Sequence, residues 1–189
     1  MAAIDNNSFA YIIVEADEGS FRGAVLASDM RGIPVDFRYT EPIRPTKLEK
    51  ILYGNALEVY IKEELILESL INAMDVKPAL WICKEQNLLT PLRAVTKSKV
   101  IVLANSNHHP LDSTGDIEPV GEAGVYLVQA DSVSAPLRVM FHSNVTENEV
   151  KFVVSLLVNA SQTMELTEPF SRIQKAFNAI ASEIQSDGK

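Results

Sequence analysis

Residues 21–40, FRGAVLASDMRGIPVDFRYT, decide the fold of this chain. Two runs of strand-forming residues, 21–28 and 33–40, flank the tight turn Asp29-Met30-Arg31-Gly32, a pattern that predicts a β-hairpin. The second run has the period-two alternation of a strand with one buried face, carried by Ile33, Val35, Phe37 and Tyr39. The hairpin therefore predicts an antiparallel edge to a larger sheet.

The first arm of this hairpin has small side chains, and its neighbours in sequence extend the sheet. Gly23, Ala24 and Ala27 leave a thin surface, which predicts a helix packed close against it. Upstream, residues 9–14, FAYIIV, form an almost continuous apolar run typical of a central strand buried on both faces. Because the turn between these runs is short, we predict a three-stranded antiparallel meander.

The remaining chain alternates helices and strands. Thr46-Lys47-Leu48-Glu49 is a capping box that opens a long helix, in which Gly54 either allows close packing against the hairpin, the preferred alternative, or divides the helix. Residues 79–104 predict a strand, a short helix and a second parallel strand. Further on come a strand pair, 124–129 and 137–142, and two C-terminal helices. The prediction is an α+β fold, one domain over residues 1–189, with a mixed central sheet.

Composition limits the function classes. The chain has 17 basic and 25 acidic residues, hence a formal charge of −8, which disfavours nucleic acid and anionic membranes as partners. Cys83 is the only cysteine and lies in an apolar run, so we expect a buried thiol in a reducing cytoplasm. No apolar run reaches the roughly 20 residues of a spanning helix.

Acidic residues at the predicted strand ends are the candidate catalytic groups. Three antiparallel strands, a helix and then alternating strands and helices resemble the element order of the ribonuclease H-like fold, whose nucleases bind metal with clustered carboxylates. That resemblance implies that Glu15, Asp17 and Glu85 could come together around a divalent cation. The acidic surface argues against this nuclease alternative.

Two other polar clusters are candidate binding sites. His108, His109 and Asp112 could ligate a metal, although a solvated loop is the favoured interpretation because their spacing matches no established metal motif. Arginines close to a helix N-terminus can bind an anionic group. We therefore predict a binding surface on the hairpin and on the chain that follows it. The alternative is that these arginines pair with carboxylates of the chain. The residues of the predicted surface are Arg22, Arg38, Tyr39 and Arg44.

The last helix carries a narrow apolar seam, composed of Phe170, Ile173, Phe177 and Ile180. The preceding helix could cover this seam within the chain, but its own apolar residues are needed by the sheet. A symmetric partner is the more economical cover, so we predict a homodimer with this seam at its interface.

The sequence alone favours a non-catalytic cytoplasmic subunit that functions in protein–protein interaction or assembly, with protein partners that it does not identify. It has no Gly-x-Ser-x-Gly, no P-loop and no Cys-x-x-Cys, and we expect no cofactor and no metal. The alternative is a small metal-dependent phosphodiesterase or nuclease that uses Glu15, Asp17 and Glu85. Whether the chain is an enzyme stays open on the sequence.

Overall fold

One mixed sheet of eight strands forms the centre of the molecule. The computed structural model describes the backbone of residues 4–187 and the side chains of residues 8–182. The strands are β1 Ile4–Asp17, β2 Ser20–Asp29, β3 Pro34–Tyr39, β4 Lys77–Cys83, β5 Lys99–Ala104, β6 Ile117–Pro119, β7 Val125–Val128 and β8 Leu137–Met140. Their order across the sheet is β3-β2-β1-β4-β5-β8-β7-β6. β1, β4 and β5 are mutually parallel, while the other neighbours are antiparallel.

Helices cover both faces of this sheet and confirm the predicted α+β fold. They are α1 Lys47–Tyr53, α2 Leu57–Tyr60, α3 Ser69–Ala73, α4 Leu89–Thr96, α5 Glu147–Ser161 and α6 Glu168–Asp187, with a π-helical segment Ile61–Glu68 between α2 and α3. The π-helical segment, α3 and α4 contribute to one apolar core, and α5 and α6 contribute to the other. The sheet separates the two cores.

The central strand is β1, as its continuous apolar sequence predicts. Its side chains alternate between the two cores: Phe9, Tyr11 and Ile13 face α5 and α6, whereas Ala10, Ile12 and Val14 face the other helices. All six are buried because helices cover both faces of the sheet and β2 and β4 pair with both edges of the strand. The strand–helix–strand unit β4-α4-β5 is parallel, which confirms the predicted crossover.

Gly23 lets a helical segment approach the sheet closely, as the thin first arm of the hairpin predicts. A Cβ atom at Gly23 would overlap Ile66 Cγ2 and lie 3.1 Å from Leu70 Cδ1. Ile66 and Leu70 are both buried. The absence of a side chain at Gly23 therefore fixes the distance between β2 and the π-helical segment.

The long helix differs from its prediction at Gly54. This glycine has φ of 53°, and a Cβ atom added to it would meet nothing within 4 Å, so Gly54 divides the helix and packs against nothing. Only the second half of this helical stretch is covered, with Ile61, Ile66 and Leu70 buried. Its first half is exposed at Leu48, Ile51, Leu52 and Val59.

β3 is an edge strand, and its predicted buried face is largely uncovered. Ile33, Val35 and Tyr39 are about half exposed, and only Phe37 of the alternating set packs against a core. The alternation correctly predicted the strand, but a period of two does not say whether a helix reaches the end of the sheet.

The seam on α6 packs inside the chain. Phe170, Ile173 and Phe177 belong to the core between α6 and the sheet, with exposures of 8%, 0% and 2%, and Ile180 is half-buried. The interface prediction is thereby corrected, because the chain's own sheet covers the residues that a partner chain was expected to cover. The homodimer was predicted only to cover this seam, so the structure gives no reason to expect it. Among the described residues, no helix, α6 included, is both long enough and apolar enough to cross a membrane.

Candidate functional site

The carboxyl ends of β1, β4 and β5 meet at one edge of the sheet, where polar residues follow apolar strands. The strands are parallel neighbours, so the residues after them lie side by side. In open sheets of this kind, ligands bind in the crevice outside the carboxyl ends of the strands. We call this edge of the sheet the carboxyl edge.

A crevice of about 400 Å³ lies between the carboxyl edge and α6. Lys84 follows the buried end of β4, and Asn105 follows β5. Thr167 and Gln174 line the crevice from the α6 side, and Ile13 is part of its apolar surface. The Thr167 hydroxyl lies 3.4 Å from the Asn105 side-chain oxygen and has the Glu165 carboxylate as its closer acceptor, while the Asn105 amide nitrogen is a donor.

Glu15 is held by two neighbours at the rim of this crevice. Its carboxylate forms an ion pair with Arg22 and accepts a hydrogen bond from Gln174 Nε2 at 2.9 Å. The Arg22 guanidinium lies 4.3 Å from the centroid of the Phe177 ring, which fixes its position on the α6 face. Both Glu15 oxygens therefore have partners within the protein.

Glu85 lies at the same edge but on the other face of the sheet. Along β4, Leu80 and Ile82 belong to the core under α6, whereas Trp81 and Cys83 belong to the opposite core. Lys84 continues the α6 face, as its place in the crevice shows, and Glu85 the other. The half-buried Glu85 carboxyl has one oxygen that is buried without a hydrogen-bond partner, and burial raises its pKa.

The predicted carboxylate trio is not brought together as a metal site. Glu15 is paired with Arg22, the exposed Asp17 lies at the β1–β2 turn, and Glu85 is on the opposite face. Across the side chains that the structure describes, no three His, Cys, Asp or Glu residues form a group that could hold a metal ion. The residues present therefore do not fit the clustered-carboxylate metal site of ribonuclease H-like nucleases.

The histidine candidates do not line the carboxyl-edge crevice. His108, His109 and Asp112 are exposed in the chain that follows β5, and they do not form part of a metal-binding group within the described residues. This placement agrees with the solvated loop that their spacing favours.

The predicted arginine surface consists mainly of ion pairs. Arg22 pairs with Glu15, and Arg38 pairs with Asp36 and with Asp75 at 2.7 Å. Tyr39 packs beside Phe37 with ring centroids 5.9 Å apart, and Arg44 is exposed. Arg22 and Arg38 therefore pair with carboxylates, which is the alternative considered from the sequence.

The crevice residues Lys84, Asn105 and Gln174 were not found from the sequence. A signal existed for two of them, since Lys84 directly follows the apolar run ALWIC and Asn105 follows VIVLA. Polar residues placed just after two parallel strands meet at one sheet edge. Gln174 had no comparable signal, because its contact with Glu15 depends on how α6 docks.

Comparison with solved structures finds this fold among endonucleases. Endonuclease V from Streptomyces avermitilis superposes with a TM-score of 0.57 at 14% identity, covering 95% of this chain and 88% of that chain. Endonuclease V from Bacillus subtilis gives a TM-score of 0.56 at 8% identity, with the same coverage. No protein-family model matches the chain, and no curated protein matches it. The likeness shows a shared fold.

This finding corrects two sequence-based conclusions. The fold is shared with proteins named as endonucleases, which contradicts the preference for a non-catalytic subunit for protein–protein interaction over the nuclease alternative. The exclusion of nucleic acid is corrected with it, since endonucleases act on nucleic acid. The argument from charge fails because a net charge of −8 is a sum over the whole chain. Such a sum does not exclude local cationic sites such as Lys84 at the carboxyl edge.

Proposed function

We propose that this protein acts on nucleic acid and binds a phosphodiester of the strand in the carboxyl-edge crevice. The observation that carries the proposal is the position of Lys84, an exposed cation in the crevice outside the parallel strands of a fold shared with endonucleases. Lysine and amide side chains are common phosphate ligands in nucleic-acid complexes.

The groups in the crevice suit a phosphodiester flanked by sugar and base. Lys84 forms no ion pair with any described side chain, and the Asn105 amide nitrogen is a second donor. Ile13 and Phe170 supply apolar surface beside them. Glu15 would repel a phosphate if it were unpaired, but Arg22 compensates its charge.

A cytoplasmic location is part of this proposal. Cys83 is a free, fully buried thiol, and burial raises its pKa to about 12. An unmodified buried thiol is compatible with a reducing compartment.

Fluorescence anisotropy with labelled single-stranded and double-stranded DNA and RNA tests binding. Lys84→Gln should weaken binding about tenfold. It should also reduce the slope of log affinity against log salt concentration by the amount expected for about one phosphate contact. Lys77→Gln is the matched control, because Lys77 is an exposed lysine at the other end of the same strand. Absence of binding to all four substrates, or equal losses in the two variants, would contradict the proposal.

Cleavage of a strand that crosses the carboxyl edge is the second candidate, and Glu85, which lies at that edge on the face opposite the crevice, favours it. Its carboxyl has a raised pKa and a buried oxygen without a partner at the carboxyl edge, which is the environment of a general acid or base. End-labelled strands should then be shortened by the wild-type protein, assayed separately with Mg²⁺, with Mn²⁺ and with a chelator. Glu85→Gln should abolish the product. Product formation that survives this substitution would refute a role for Glu85, and no product under any condition would refute cleavage.

A further inference from the structure

A second cavity lies at the opposite edge of the sheet from the crevice. Its volume is about 850 Å³, within the range of small-molecule sites. It is formed by the end of α4, the start of β5, the chain after β8 and the first turns of α5. No residue lines both this cavity and the carboxyl-edge crevice.

Three cations gather at this cavity in a chain that is acidic overall. Arg93 lies in the last turn of α4, Lys97 closes that helix, and Lys99 begins β5. None of them forms an ion pair with a described side chain. Lys97 has φ of 53°, and its backbone N–H donates to the Arg93 carbonyl, so a short left-handed turn holds the cluster together.

The amino end of α5 lies at the same cavity. Thr146 caps the helix by accepting a hydrogen bond from the Glu149 amide, and Asn148 in the first turn lines the cavity. The first amides of an α-helix have no partner within the helix, and the helix dipole places partial positive charge there. Free amides and the helix dipole would both stabilise an anion bound at this helix end.

His142 presents a buried donor without an acceptor. Its Nδ1 accepts a hydrogen bond from the Asn144 amide at 3.1 Å, which places the proton of the neutral ring on Nε2. Nε2 is buried and has no hydrogen-bond partner, although the side chain lines the cavity. The nearest carboxylate oxygen, from Glu149, is 3.8 Å away, which is too far for a hydrogen bond. Buried donors in folded proteins usually have partners, and a turn of the ring toward the cavity would bring this nitrogen to a ligand oxygen.

Phe152 gives the cavity an aromatic surface beside its cations. The ring is 40% exposed, and the Lys99 ammonium lies 4.6 Å from its centroid. Glu149 is the one carboxylate among the described lining residues, against three cations. A phosphate-bearing ligand with a flat base matches this combination of charge, donors and aromatic surface.

We propose that this cavity binds the phosphate of a nucleotide, with Arg93, Lys97 and the His142 Nε2–H as its donors. The phosphate belongs either to a free mononucleotide or to the phosphorylated end of a strand. Because the residues involved are separate from the crevice, this site and the proposed function stand or fall independently.

Isothermal titration calorimetry of the full chain with adenosine 5′-monophosphate, adenosine and inorganic phosphate tests the proposal. We expect the monophosphate to bind, adenosine without phosphate to bind at least tenfold more weakly, and inorganic phosphate to compete. Arg93→Ala combined with Lys97→Asn, a residue that tolerates the left-handed turn, should weaken binding by about tenfold to a hundredfold. His142→Phe should weaken it as well, since it removes the donor.

The control is Lys47→Asn with Lys175→Ala, which removes two exposed cations elsewhere. Thermal denaturation checks that both double variants are folded. A 5′-phosphorylated oligonucleotide that competes at least tenfold better than the mononucleotide assigns the phosphate to a strand end, and the reverse assigns it to a free nucleotide. No binding of the monophosphate at millimolar concentration, or equal weakening by the control variant, would overturn the proposal.

Discussion

Truncation of Phe177 tests whether α6 belongs to the core or to an interface. The ring is 2% exposed, packs in the core between α6 and the sheet, and lies under the Arg22 guanidinium. Replacement of a buried phenylalanine by alanine costs about 3–5 kcal/mol, because the transfer free energy is lost and a cavity remains. For a chain of this size, about 2–4 °C per kcal/mol gives a fall in melting temperature of about 6–20 °C. Urea denaturation of Phe177→Ala would measure the free energy of unfolding directly.

Phe152→Ala is the matched control, because Phe152 is 40% exposed on α5. We expect it to cost about 1 kcal/mol or less, mainly from its contact with Lys99. A dimer interface at α6 predicts a different result, in which Phe177→Asp yields a folded monomer from a wild-type dimer by light scattering. That outcome, together with a loss below about 1 kcal/mol in Phe177→Ala, would refute the reasoning.

Three further predictions concern packing, pH and reactivity. Gly23→Ala should destabilise the chain by about 1–3 kcal/mol in chemical denaturation, because the new methyl group overlaps Ile66; unchanged stability would mean that the π-helical segment moves away at no cost. Burial raises the pKa of Glu85 above 4.5, so the folded chain holds this proton more tightly than the unfolded chain, and the free energy of unfolding should fall as pH rises above about 4.5. Glu85→Gln should remove that fall, and identical pH profiles of the two proteins would contradict the burial effect. Cys83, with its pKa raised to about 12, should resist iodoacetamide at pH 8 until denaturant is added, and rapid alkylation of the native chain would show that the thiol is accessible.

The fold was predictable where the signal is local. The apolar run in β1, the hairpin turn and the capping box at Thr46 each depend on a few neighbouring residues, and each is confirmed. At the start of α5, the Thr146 side chain likewise accepts a hydrogen bond from the Glu149 amide. These features act within one turn or one strand pair, so tertiary contacts rarely override them.

Some predictions that depended on coverage by distant elements failed. Whether Leu48 is buried depends on what lies over α1, and whether Phe177 faces a partner depends on where α6 docks. Periodicity identifies an apolar face but does not identify what covers it. The candidate site was mispredicted for a similar reason. Glu15 and Glu85 follow neighbouring strands but lie on opposite faces of the sheet. A shift of one residue along a strand moves a side chain to the other face, and the sequence does not give the register between two strands.

Cross-linking a bound strand to the protein tests the central claim most directly. A single-stranded RNA with 4-thiouridine substitutions, irradiated in complex with the wild-type chain, should label peptides that border the carboxyl-edge crevice. Digestion and mass spectrometry should locate the cross-links within or beside residues 84–88, 105–107 and 167–174. Cross-links confined to the exposed face of residues 48–59, or no cross-link at concentrations where the strand is bound, would contradict the account.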